Sequence, residues 1–204
     1  MTEIVGCILA GGRSLRMGGG YKTLQHIGGT TILARIIATV APQLTHIVLN
    51  CNGPDTLFAP FGLPLVRDSV PGQAGPLAGI LAGLEWAATA HPRATHLLSV
   101  PSDTPFLPND LVARLGRELD ENTIAVAMSE GRTHPTIALW PLSLTADLRR
   151  ALVEEDIRKI DRFTARYPTV IVAFPPALVD PFLNINTPEE FSAAERLVAR
   201  GDAG

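Results

Sequence analysis

Near the start of the chain, a glycine-rich and cationic stretch follows directly on an apolar run. Residues 9–22 read Leu-Ala-Gly-Gly-Arg-Ser-Leu-Arg-Met-Gly-Gly-Gly-Tyr-Lys, and five of the ten residues from 11 to 20 are glycine. Glycine lets backbone come close to a ligand and takes positive φ at little cost. Backbone N–H groups in such a loop can converge on an anion, and Arg13, Arg16 and Lys22 add the positive charge a triphosphate needs. The same composition also suits a flexible surface connection. Three cations behind an apolar run favour the anion site. Two familiar phosphate loops are excluded by spacing. A Walker A loop needs lysine directly after glycine, but Tyr21 separates Gly20 from Lys22. The Gly11–Gly12 pair does not supply the GxGxxG of a dinucleotide fingerprint.

One acidic residue is placed for metal chemistry. Asp103 lies in Val-Pro-Ser-Asp-Thr-Pro-Phe (100–106), just after a strand-like run. A carboxylate there can hold Mg²⁺, which takes one or two carboxylates together with phosphate oxygens and waters. It can equally be a turn aspartate bonded to backbone ahead of Pro105. His26, His46, His91 and His96 show neither HExxH nor another metal-ligand spacing. Cys7 and Cys51 form no CxxC or Cys/His pattern and read as small buried hydrophobes.

The elements that must carry these residues alternate. Residues 4–10 are a continuous apolar run, as in a strand buried on both faces. Leu33, Ile36, Ile37 and Val40 recur at helical spacing, and 46–49 reads as a second strand. Leu77, Ile80, Leu81 and Leu84 mark another helix, 96–100 a third strand, and Leu111, Leu115 and Leu119 the next helix. Further strands are predicted at 124–128, 136–140 and 170–174, with 142–163 mostly helical. Thr187-Pro188-Glu189-Glu190 combines a capping box with proline at the first helical position. The pattern predicts an α/β fold with a mostly parallel central sheet covered on both faces. Ligands of such sheets bind beyond the carboxyl ends of the strands, where the glycine-rich stretch and Asp103 both fall.

With 204 residues, no internal repeat and no linker, the expectation is one domain over 1–204. Hydrophobic residues make up 46% and charged residues 18%, enough for a large core and against disorder. A net charge of −3 argues against non-specific nucleic-acid binding, which needs a basic field. The apolar stretch near the N-terminus is too short for a signal peptide or a membrane span, so a cytoplasmic protein without membrane association is expected.

Taken together, these segments resemble one family. Residues 9–22 are similar to the LAGGxSxRMGxxK signature of the molybdenum cofactor guanylyltransferases (molybdopterin-guanine dinucleotide synthases). Residues 101–105 resemble that family's P-C-D-T-P motif with Ser102 in the cysteine's place, 75–79 its GPLAG motif, and 184–188 its N-I-N-T-P segment. The resemblance runs from Leu9 to about Phe191, with its motifs in the expected order. It implies a Rossmann-like three-layer α/β/α nucleotidyltransferase fold. It also implies nucleotide contacts from Leu9, Ala10, Gly11, Gly12, Arg13, Lys22, Asn50, Asp68, Gly75 and Asp103, with Mg²⁺ on Asp103. Asn184, Asn186 and His134 would then meet the molybdopterin. Read as residues alone, the two asparagines are equally good turn formers ahead of a capped helix, and a lone histidine is more often structural or exposed. One position departs from the pattern: Tyr21 stands where the family usually has aspartate before its lysine, which puts the placement of Lys22 in question.

The implied reaction is attack by the terminal phosphate of molybdopterin on the α-phosphorus of GTP, with pyrophosphate leaving. An attacking phosphate is already anionic, so alignment and charge neutralisation carry the catalysis. Asp103, Arg16 and Lys22 would be the catalytic residues. A cytidylyltransferase on the same cofactor is the nearest alternative; its motif more often reads Leu-Ala-Ala-Gly, whereas Gly11 stands here. A sugar-phosphate nucleotidyltransferase or a non-catalytic nucleotide- or cofactor-binding protein are the others. Transient contact with molybdoenzyme apoproteins or a delivery chaperone is expected from the same resemblance.

Overall fold

The computed structural model describes residues 3–10, 21–72, 75–175 and 177–201. In chain order the elements are β1 (Glu3–Leu9), β2 (His26–Ile27), β3 (Thr30–Thr31), α1 (Ile32–Val40), β4 (Ile47–Asn50), α2 (Asp55–Phe58) and β5 (Leu65–Val66). There follow α3 (Pro76–Ala90), β6 (Ala94–Pro101), α4 (Leu111–Leu115), β7 (Ile124–Ser129), β8 (Arg132–Pro141), α5 (Thr145–Val153), α6 (Ile160–Thr164), β9 (Thr169–Ala173) and α7 (Pro188–Arg200).

Seven strands form one sheet in the order β5-β4-β1-β6-β8-β7-β9. β8 runs antiparallel to both neighbours, and the other pairings are parallel. The mostly parallel three-layer α/β/α fold is therefore as expected. Alternation along each strand divides the core in two. Ile8, Leu98, Val100 and Leu139 pack under α1, α4 and α7. Val5, Cys7, Leu97 and Trp140 pack under α3, α5 and α6. Both cysteines are free and buried, and burial pushes the Cys7 thiol up to about 12. The buried Trp140 indole donates to Ser99 Oγ at 2.8 Å, and that hydroxyl donates to Thr136 O, so neither polar group is left unsatisfied.

Helix α3 packs on the sheet through two glycines. Gly79 and Gly83 lie one turn apart on the face that meets β1 and β4. A Cβ on Gly79 would stand 2.4 Å from Asn50 Oδ1, and one on Gly83 2.8 Å from Cys7 Sγ. The helix thus rests directly on the strand ends that carry Leu9 and Asn50. Gly79→Ala is expected to lower stability by roughly 1–3 kcal/mol, as overpacking does, and to displace the Asn50 amide. Urea unfolding reads the effect; an unchanged midpoint would mean that the helix lifts freely.

Several elements differ from the sequence pattern. Residues 142–163 are not one helix: α5 ends at Val153 and α6 begins at Ile160. Asp156 takes a left-handed φ of 52° while Ile157 turns into the core, so burial of one side chain breaks the helix. Helix α4 stops at Leu115, and Leu119 is extended. β8 begins at Arg132, four residues before the predicted strand. The β2–β3 hairpin was not foreseen; Gly28 and Gly29 supply its two positive-φ turn positions, with φ of 59° and 82°. The capping box at α7 forms as predicted: Thr187 Oγ1 accepts from Glu190 N, and the Glu190 carboxylate accepts from Thr187 N.

Candidate active site

The parallel topology brings the ends of β1, β4, β5, β6 and β7 to one edge of the sheet, joined there by the start of antiparallel β8. Leu9 ends β1. Ala10, buried, donates its N–H to Asn50 O at 2.8 Å, and Ser102 N–H donates to Leu9 O at 3.2 Å. These bonds stitch the entry to the glycine-rich stretch to both flanking strands. Gly11, Gly12, Arg13 and Arg16 lie outside the described residues.

Two side-chain clusters stand at this edge. In the first, Lys22 Nζ lies 3.1 Å from Asp103 Oδ2 and donates to Asn186 Oδ1 at 2.6 Å. The lysine side chain is 13% exposed and the aspartate 24%, so this pair is shielded but reachable. Asp103 Oδ1 is buried and has no hydrogen-bond partner among the described residues. The Asp103 carbonyl accepts from Ile185 N at 2.9 Å, which fixes the asparagine segment against the aspartate. Asn186 N–H donates to Glu190, so the α7 cap also seats this amide. Asn184 is half-buried in the same segment.

In the second cluster, Asn50 Nδ2 donates to Asp68 Oδ1 at 2.9 Å and Asn52 Nδ2 donates to Asp68 Oδ2 at 2.8 Å. Asp68 N returns a bond to Asn52 Oδ1 at 3.0 Å. Asn52 was not singled out in the sequence; an Asn two residues past a strand end carries no distinguishing spacing. Gly75, at the N-terminal cap of α3, has φ 69° and ψ −164°, a conformation open essentially to glycine. Proline follows it at the first helical position.

Tyr21 does not disturb Lys22. Its ring packs edge-on against Phe58 at 5.2 Å, and its hydroxyl lies where a side chain on Gly53 would stand. The tyrosine is thereby turned into the core while the next residue reaches Asp103. His134, the third residue of β8, is buried rather than exposed, and its Nε2 is 2.8 Å from Ser129 Oγ.

A separate group, Glu3, His46 and His91, gathers at the opposite edge of the sheet, which sequence spacing did not reveal. The two imidazoles stack at 3.9 Å and 20°. A groove of about 450 Å³ lies between α1 and residues 105–109; none of Lys22, Asp103, Asn50 or Asp68 lines it. The convergence of charged and amide groups marks the site better than this concavity.

Residues 6–170 match the MobA-like NTP transferase domain. The chain is 56% identical over 195 residues to the molybdenum cofactor guanylyltransferase of Rhodopseudomonas palustris (strain BisB5), covering 95% of this chain and 93% of that one. It is 53% identical over 203 residues to the molybdenum cofactor guanylyltransferase of Bradyrhizobium sp. (strain ORS 278), covering 98% and 96%. In structure it is similar to the molybdopterin-guanine dinucleotide biosynthesis protein A of Archaeoglobus fulgidus, with a TM-score of 0.75 at 21% identity over 96% and 99% of the two chains. It is also similar to the 4-diphosphocytidyl-2C-methyl-D-erythritol synthase of Anaerococcus prevotii, with a TM-score of 0.75 at 16% identity over 98% and 97%. With the match over most of its length and these two close relatives, the chain belongs to the molybdenum cofactor guanylyltransferases of the MobA-like NTP transferase family.

Proposed function

We propose that this protein transfers GMP from GTP to the terminal phosphate of molybdopterin, releasing pyrophosphate. The observation that carries the reading is the Lys22–Asp103–Asn186 cluster at the carboxyl edge of the sheet, in a chain of this family. Lys22 neutralises charge on the phosphates, and Asn186 holds the ammonium in place with its amide oxygen. Asn50 and Asp68 form a rigid acceptor and donor set for the nucleoside end of GTP, locked by Asn52 and by the close approach of Gly79. In this reading Asn184 and His134 meet the acceptor. In this reading Arg13 and Arg16 meet the pyrophosphate.

The residues fit a hard divalent cation. Asp103 offers one buried oxygen with no hydrogen-bond partner among the described residues, while its second oxygen is held by Lys22. When bound there, a magnesium ion would supply Lewis-acid neutralisation of the charge on the reacting phosphates. Asp103 is the residue that would hold it, oriented by the bond from Ile185 N to its carbonyl. The attacking phosphate monoester needs no general base, so the protein's task is in-line placement and charge neutralisation. Soluble GTP and molybdopterin are the substrates in this reading. Among the described residues, no helix is long and apolar enough to cross a membrane.

Pyrophosphate release with GTP, CTP, ATP and UTP, each with molybdopterin and Mg²⁺, tests the reading. GTP is expected to lead clearly. A preference for CTP would replace the guanylyl product with the cytidylyl one.

A further inference from the structure

The Lys22–Asp103–Asn186 cluster engages only one end of the segment 180–186. The other end is tied down by a largely shielded hydrogen-bond chain that the proposed reaction does not explain. Ser129, 2% exposed, closes β7; its hydroxyl donates to Asp180 Oδ1 at 2.7 Å and lies 2.8 Å from His134 Nε2. The same Asp180 oxygen accepts from Phe182 N at 3.0 Å. The Phe182 ring, buried, packs 5.0 Å from both His134 and Phe174. From this anchor the chain runs to Ile185, bonded to Asp103, and to Asn186, bonded to Lys22.

Counting protons fixes the direction of the chain. A hydroxyl has one proton and a carboxylate only accepts. The Ser129 proton is committed to Asp180, so the Ser129 oxygen accepts from His134 and the ring proton is on Nε2. Burial also lowers the pKa of His134, and Arg132 acts in the same direction against the opposing pull of Asp180. A neutral ring protonated on Nε2 keeps a bare lone pair on Nδ1, for which no hydrogen bond is found among the described residues.

We propose that Asp180 and Ser129 are positioning residues that hold His134 in its Nε2–H form, so that Nδ1 accepts a hydrogen bond from a ring N–H or amino group of the acceptor's heterocycle. The same two residues seat the segment that carries Asn184 and Asn186. This rests on the reading of the site as guanylyl transfer to a pterin phosphate.

Nitrogen-15 NMR of histidine-labelled protein, with His134 assigned by difference from His134→Gln, tests the tautomer without substrate. Wild-type protein is expected to show Nε2 protonated and Nδ1 bare. Asp180→Asn keeps an oxygen able to accept from both Ser129 and Phe182 and should retain that spectrum. Asp180→Ala frees the Ser129 proton for His134 Nε2 and should shift the ring toward Nδ1–H. Ser129→Ala leaves the Asp180–Phe182 bond intact yet removes the acceptor for the ring. It should raise KM for the pterin acceptor about three- to tenfold, the loss of one hydrogen bond, with KM for GTP unchanged. Nδ1–H in the wild type, or an unchanged acceptor KM in Ser129→Ala, would overturn the proposal. Wild-type protein that transfers no GMP would overturn the functional reading instead, and the spectrum would still decide this one.

Discussion

Asp103→Asn is expected to fold normally and to lose at least about 100-fold in turnover, the scale of removing one group that stabilises the transferred charge. The substitution keeps the size of the side chain and an amide oxygen that can still accept from Lys22. The backbone bond from Ile185 to residue 103 does not depend on the side chain. What is lost is the negative charge on the oxygen that has no hydrogen-bond partner among the described residues. A hard cation prefers carboxylate oxygen over amide oxygen, so the Mg²⁺ concentration for half-maximal activity should rise together with the loss in kcat. Matched thermal melts with a Mg²⁺ titration of activity check both halves. Full turnover at ordinary Mg²⁺ would remove Asp103 from the metal site.

Lys22→Ala should harm nucleotide binding and catalysis together, raising KM for GTP and lowering kcat, with a combined loss of about 100- to 1,000-fold in kcat/KM. The lysine does two things in the structure. It brings positive charge to the carboxyl edge, and it gathers Asp103 and Asn186 around one ammonium. Lys22→Arg should not restore the wild-type rate, because a planar fork cannot take the place of a compact charge between two oxygens 3.1 and 2.6 Å away. Steady-state kinetics with GTP varied at saturating acceptor measures the effect. An unchanged kcat/KM in the alanine variant would show that the phosphates do not meet this charge.

Much of the framework was legible because burial on both faces leaves a continuous apolar run, as in residues 4–10, and helices repeat at i, i+3, i+4, as in Leu33 to Val40. The break near Asp156 was not legible: a single left-handed residue interrupts a segment whose helical spacing otherwise continues. The β2–β3 hairpin was readable in principle from Gly28–Gly29, since paired glycines between short β-prone segments are a hairpin signal.

The site divides along the same line. Leu9, Asn50 and Asp103 reach the carboxyl edge because of where β1, β4 and β6 end, and strand ends are visible in sequence. Their partnerships are not. Lys22 meets Asp103 and Asn186 across 81 and 164 residues, and Ser129 meets Asp180 across 51. No local pattern carries such pairings; they follow from the order in which strands assemble. Tyr21 shows the converse. Sequence comparison marked it as a break in the motif, whereas packing against Phe58 explains how the chain accommodates it.

The most direct measurement follows the phosphorus atoms of GTP. With molybdopterin and Mg²⁺ present, label at the α-phosphate should appear in a pterin–guanine dinucleotide, and label at the γ-phosphate should leave as pyrophosphate. Both should require the acceptor. Label from the γ-phosphate on the acceptor, or release of α-labelled GMP without any dinucleotide, would contradict guanylyl transfer as the reaction of this site.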